Sequence, residues 1–119
     1  MQPFNIRLFK SEDADQIILF AREFWNKPDF NEDFCRKYLT KISELGIVLI
    51  AEDGNKMIGV ILAFESENHF TGAKVLYRSD VFVDKNHRNK GVCKALQVRL
   101  KEIGETVGFD EYSWEMERL

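Results

Sequence analysis

Polar and apolar residues alternate over residues 4–9, with Phe4, Ile6 and Leu8 on one side, and this two-residue period predicts a first strand. The period then becomes helical. Ser11 stands at an N-cap position ahead of Glu12 and Asp13, acids suited to a first turn, and Ala14, Ile17, Ile18, Ala21, Phe24 and Trp25 form one apolar face. Residues 26–29, with Pro28, end that helix. Asn31 caps a second helix whose stripe is Phe34, Tyr38, Ile42 and Leu45 with Leu39 beside it, and Gly46 stops it.

Residues 47–52 form a continuous apolar run, the pattern of a strand buried on both faces. Asp53-Gly54-Asn55-Lys56 is a hairpin turn, and residues 57–65 return as its partner strand. The polar residues 66–74, with Gly72, read as a loop, and residues 75–84 as a fourth strand. A basic stretch, 85–90, leads at Gly91 into a third helix with Val92, Leu96, Leu100, Ile103 and Val107 inward. Gly104 weakens this helix and Gly108 closes it. Residues 109–116 are a last strand carrying Tyr112, Trp114 and Met116 on one face. The order β-α-α-β-β-β-α-β predicts a mixed α/β layer structure, a single domain over residues 1–119.

Composition narrows the function classes. A formal charge of −3 gives no basic face for a nucleic-acid duplex, and no apolar run approaches the ~20 residues of a membrane span. The two cysteines, Cys35 and Cys93, are far apart with no Cys-x-x-Cys or His/Cys cluster, so no metal site is expected. Met-Gln-Pro-Phe-Asn has no apolar signal core, and the expectation is a reduced, cytoplasmic protein.

The chemistry is concentrated at the strand-to-helix turn Arg88-Asn89-Lys90-Gly91-Val92-Cys93. Helix N-termini leave N–H groups unpaired, and these attract anions. Gly91 permits a backbone conformation or a close approach that other residues resist, Arg88 and Lys90 add charge, and Cys93 is small enough to leave room. The turn has neither the Gly-Lys-Ser/Thr of a Walker A loop nor a G-x-G-x-x-G dinucleotide pattern.

Read with Asp80-Val81-Phe82-Val83-Asp84 before it and Lys94-Ala95-Leu96 after it, the turn resembles the Q/R-x-x-G-x-G/A motif of the GNAT superfamily of acyl-CoA-dependent N-acetyltransferases. The element order matches over nearly the whole chain. The resemblance implies a GNAT-like fold that binds acetyl-CoA. Main-chain groups of Phe82 and Val83 would pair with the pantetheine arm, and Arg88, Asn89, Lys90, Gly91, Val92, Cys93 and Lys94 would wrap the pyrophosphate. Cys93 stands where the family usually has Gly or Ala, and Lys85 where Pro is common.

The resemblance also implies acetylation of a primary amine on a small molecule or a protein. Acyl transfer needs a base for the amine. Some relatives open the fourth strand with a Glu-Asp pair; here the pair is Ser79-Asp80, which leaves Asp80 as the carboxylate candidate. Strand alternation sets Asp80 and Phe82 opposite Ser79, Val81 and Val83. Glu65 and Glu67 are candidates for recognising an ammonium group, and Glu115 for a further carboxylate. Tyr77 reads as packing, and His69 and His87 as isolated loop residues. The family continues with a helix, often bearing a Tyr acid, and two more strands, which this sequence lacks. An apolar edge at the last strand then predicts a homodimer. The alternative is a non-catalytic CoA-binding sensing or assembly module of the same fold.

Overall fold

The computed structural model describes residues 4–114. Five strands and three helices follow in the order β1 (Asn5–Leu8), α1 (Ala14–Phe24), α2 (Glu32–Leu45), β2 (Gly46–Asp53), β3 (Lys56–Glu67), β4 (Lys74–Val83), α3 (Val92–Val107) and β5 (Glu111–Trp114). Short 3-10 turns at Ser11–Asp13 and Lys85–His87 precede α1 and α3. The strands form one sheet in chain order, antiparallel except for the parallel β4–β5 pair that α3 connects. This is the predicted order. The last strand is described to Trp114, and Glu115 and Met116 lie outside the described residues.

Each face of the sheet carries a core. Val48, Ile50, Val60 and Leu62 point to α1 and α2, where Ile17, Phe20, Leu39 and Ile42 meet them. Leu49, Ala51, Ile61 and Leu76 point to α3, against Val92, Leu96 and Leu100. Coverage on both sides explains the unbroken apolar run of β2: successive residues alternate faces, and both faces are dry.

The helix stripes are longer than the core requires. Phe24 is 71% exposed and Phe34 65%, although both fall on the predicted inward faces. Trp25, Leu45 and Val107, at the helix ends, are exposed as well. The aromatics near the ends of α1 and α2 are thereby left over for another use.

Local signals differ from expectation in three places. Ser11 does not cap α1, since its hydroxyl donates to Glu12. Asp13 stands at the N-cap without a side-chain cap bond; its buried carboxylate instead reaches back over the preceding 3-10 turn, accepting from the Lys10 N–H at 2.7 Å and from both terminal nitrogens of Arg7 at 2.8 Å. Arg7 also pairs with Glu52 at 3.1 Å, which ties β1 to β2 and to the start of α1. Gly46 ends α2 in an extended rather than left-handed conformation. A Cβ there would collide with the Ala63 carbonyl, so the glycine permits close approach of β2 and β3. Gly104 has a packing role too: a Cβ would lie 2.9 Å from Tyr112 Cε1 and 3.1 Å from Leu76 Cδ2. Gly108, at φ +96°, closes α3 as predicted, and Phe109 N–H donates to the Gly104 carbonyl.

Candidate functional site

The centre of β4 is bulged. Leu62 pairs with Asp80 and Ala63 with Arg78, so Ser79 is an extra residue with no partner of its own in β3. The bulge resets the alternation. Leu76 before it and Val81 and Val83 after it pack on the α3 side, whereas Phe82 packs on the α1/α2 side and Tyr77 stacks on Phe64 at 5.0 Å. An unbroken alternation would have put Tyr77 on the side of Val81. The expected opposition of Asp80 and Phe82 to Val81 and Val83 holds. Ser79 Oγ donates to the Leu62 carbonyl at 3.3 Å and tethers the bulge.

The sheet past the bulge is open on one side among the described residues. Among the described residues β5 pairs with β4 only from Val75 to Arg78, and residues 80–83 pair with β3 alone. The main chain around Phe82 and Val83 thus borders an edge that is free among the described residues, as an added extended arm requires. The Val83 carbonyl accepts one bond, from Arg88 Nε at 3.2 Å.

The turn after this edge is held from below. Asp84 N–H donates to the Ile58 carbonyl at 2.8 Å, and the Asp84 carboxylate meets His87 Nδ1 at 2.8 Å. That bond to His87, with help from the Lys56 charge, holds the Asp84 carboxyl below its ordinary range. His87, read from sequence as isolated, is thus a brace of the turn. Two left-handed residues then bend the chain into α3: Asn89 at φ +63° and Gly91 at φ +82°. Asparagine and glycine adopt this region at least cost. The N–H of Ala95 bonds back to the Gly91 carbonyl at 2.9 Å, which leaves those of Val92, Cys93 and Lys94 in the open first turn. A Cβ on Gly91 would meet nothing within 4 Å, so the space in front of the turn is clear. Lys85, Arg88, Lys90 and Lys94 are exposed around it.

Two clefts meet at Phe82. One, of about 440 Å³, runs from the turn to α1 and is lined by Phe20, Glu23 and Phe24, by Val81, Phe82 and Val83, and by Lys85, Arg88 and Cys93. Phe24 packs edge-on against Phe82 at 5.5 Å. The other, of about 230 Å³, lies between α1, α2 and the sheet and contains Asp80. Burial pushes the Asp80 carboxyl up, and the Arg78 charge and Ser79 offset this only in part.

The other candidates sit apart. Glu65 pairs with Lys74 at 3.3 Å and lies opposite Leu76, three residues along β3 from Leu62, or about 10 Å at the ~3.3 Å rise of a strand. Glu67 is two residues further, exposed at the strand end. His69 stacks on Phe70 in the β3–β4 loop. Glu115 lies outside the described residues. The α1 and α2 side chains that line the two clefts, Glu23, Phe24, Phe34 and Cys35 among them, were not read from sequence as site residues. Their signal was an apolar stripe longer than one core can cover. Among the described residues no helix is long and apolar enough to cross a membrane.

The model of the acetyltransferase (GNAT) family matches residues 10–118. No curated protein matches the chain. Solved structures share the fold. A ribosomal-protein-alanine N-acetyltransferase from Brucella melitensis biovar Abortus 2308 is 20% identical with a TM-score of 0.78, over 94% of this chain and 79% of that one. A GNAT family acetyltransferase from Staphylococcus aureus subsp. aureus USA300_TCH1516 is 20% identical with a TM-score of 0.76, over 96% and 87%. The aminoglycoside N-acetyltransferase AAC(6')-Iy in complex with CoA is 20% identical with a TM-score of 0.80, over 94% and 76%.

Proposed function

Because the chain belongs to the acetyltransferase (GNAT) family, we propose that it transfers an acetyl group from acetyl-CoA to a primary amine. The observation that carries this reading is the Asn89–Gly91 turn, placed where the free edge of β4 runs into the open first turn of α3. The fit to a CoA pyrophosphate is good. The backbone donors of residues 88–94 are concentrated there, the space before Gly91 is clear, and the surrounding charges are basic. The edge at Phe82 and Val83 suits the pantetheine amides, and a CoA-bound structural neighbour supports this assignment.

Acetyl-CoA supplies an acyl group activated as a thioester. Overall, a nitrogen–carbon bond forms, the carbon–sulfur bond breaks, and a proton lost by nitrogen ends on the thiol. The protein's task is to present an uncharged amine. Asp80 stands on the α1/α2 face beside Phe82, where the two clefts meet. Its raised pKa makes its carboxylate a stronger proton acceptor than a solvated aspartate. Ser79 serves the geometry by holding the bulge.

The test is calorimetric binding of CoA together with thiol release from acetyl-CoA in the presence of primary amines. Asp80→Asn is expected to lower turnover by about 10²-fold or more, the usual worth of a general base, with CoA affinity unchanged. Full activity in the variant removes Asp80 from the mechanism. CoA binding without turnover of any amine favours the non-catalytic module, to which Ser79 in place of a second carboxylate also points.

A further inference from the structure

The cleft that holds Asp80 has a composition that selects its occupant. Its walls are aliphatic and aromatic: Ile17 and Ile18 on α1, Phe34 and Tyr38 on α2, Leu62 and Phe82 on the sheet. Asp80 is the single carboxylate among its lining residues. Two acidic groups on the flanking helices, Glu32 and Asp15, are held by arginines, and Glu23 lines the adjoining cleft rather than this one. Glu32 bonds Arg22 at 2.6 Å and Arg36 at 3.4 Å, and Asp15 bonds Arg36 at 2.8 Å. One negative charge therefore faces an otherwise apolar chamber. Phe34, at 65% exposure, forms its rim, and Phe82 is shared with the cofactor cleft.

We propose that the acceptor is a primary monoamine carried on an apolar, aryl-type arm, with the arm among Phe34, Tyr38, Leu62 and Phe82 and the nitrogen toward Asp80. This rests on the transferase reading and names its substrate class. An ammonium entering the chamber meets one carboxylate and the faces of aromatic rings, which attract cations. A second or third ammonium, as in a polyamine or an aminosugar, would be desolvated there with no partner, and unpaired buried charge is strongly unfavourable. Size points the same way. At about 230 Å³ the chamber is below the roughly 300–1,000 Å³ of sites that enclose a drug-sized ligand, and it suits one ring on a short chain. Cys35 lines the same wall, so enlarging it to phenylalanine would fill the chamber without touching the turn at Gly91.

The experiment uses the full chain with 2-phenylethylamine, spermidine and a short lysine peptide. CoA binding is measured first by calorimetry, then thiol release for each amine, then amine binding alone by saturation-transfer NMR. The expected result is a kcat/KM for 2-phenylethylamine at least tenfold above the other two. Its affinity should weaken at least tenfold in both Asp80→Asn and Cys35→Phe, with CoA affinity retained. Faster acetylation of spermidine or of the peptide overturns the acceptor class and leaves the transferase reading standing. So does failure of 2-phenylethylamine to bind, or its equal binding to the wild type and both variants. Loss of the transferase reading looks different: no CoA binding, or CoA binding with no turnover of any amine, and the acceptor assignment falls with it.

Discussion

Substitutions at Gly91 separate the folding role of the turn from its binding role. Gly91 sits at φ +82°, so any L-residue there adopts the left-handed region at roughly 1–2 kcal/mol. No packing penalty adds to this, because a Cβ would meet nothing within 4 Å. At about 2.1 cal/mol/K of unfolding entropy per residue, 1 kcal/mol moves the midpoint of a chain this size by about 4 °C. Gly91→Ala, Gly91→Gln and Gly91→Glu should therefore all lose about 4–8 °C in a melting experiment. Binding should divide them. A carboxylate about 5 Å from a phosphate charge, at an effective dielectric of about 20, is repelled by roughly 3 kcal/mol, on the order of a hundredfold in Kd. Gly91→Glu should thus bind CoA about a hundred times more weakly than Gly91→Gln, and salt should narrow the gap. Titration calorimetry at two ionic strengths measures both effects. Equal CoA affinity in the glutamate and glutamine variants would refute the placement of the pyrophosphate at this turn.

Three further outcomes follow from the packing. Asp13→Asn removes a buried carboxylate from Arg7, whose side chain is 24% exposed and keeps Glu52, so the loss should be about 2 kcal/mol, below the ~3–5 of a fully buried pair. The Arg7 hydrogen bonds hold the Asp13 carboxyl below its ordinary 3.8, so the folded state binds fewer protons there; the stabilisation is full above that value and disappears as pH falls through the folded pKa. Melting curves of wild type and variant should converge in acid, and a constant gap down to pH 2 would contradict the linkage. Asp80 has the opposite sign: burial raises its pKa, the folded state retains the proton longer, and ionisation at neutral pH opposes folding. Asp80→Asn should leave the melting point at pH 7 equal or higher, and a large fall would mark Asp80 as structural. Gly104→Leu should lower stability by about 1–3 kcal/mol, because its Cβ falls 2.9 Å from Tyr112 Cε1; an unchanged melting point would mean that α3 does not press on β5 there.

Sequence by itself determined the elements and the turn. Periods of two and of three to four residues are local properties of a chain, so β1 through β5 and the three helices were legible in order, within a residue or two at most ends. The turn at residues 88–93 was equally local: a glycine after a strand, before a helical stripe and among basic residues carries its own conformational signature. Tertiary structure decided where side chains met. Ser79 became a bulge only because β3 gives it no partner, and that extra residue returned Tyr77 to the face of Asp80 and Phe82. Phe24 and Phe34 read as core residues in the sequence, yet in the fold they are mostly exposed and border the two clefts. Arg7, Asp13 and Glu52 come from three segments, and no spacing along the chain announces their meeting. The division has one physical cause: backbone preference and hydrophobic periodicity act over a few residues, whereas a cleft, a buried charge or a strand register depends on groups the chain brings together only when it folds.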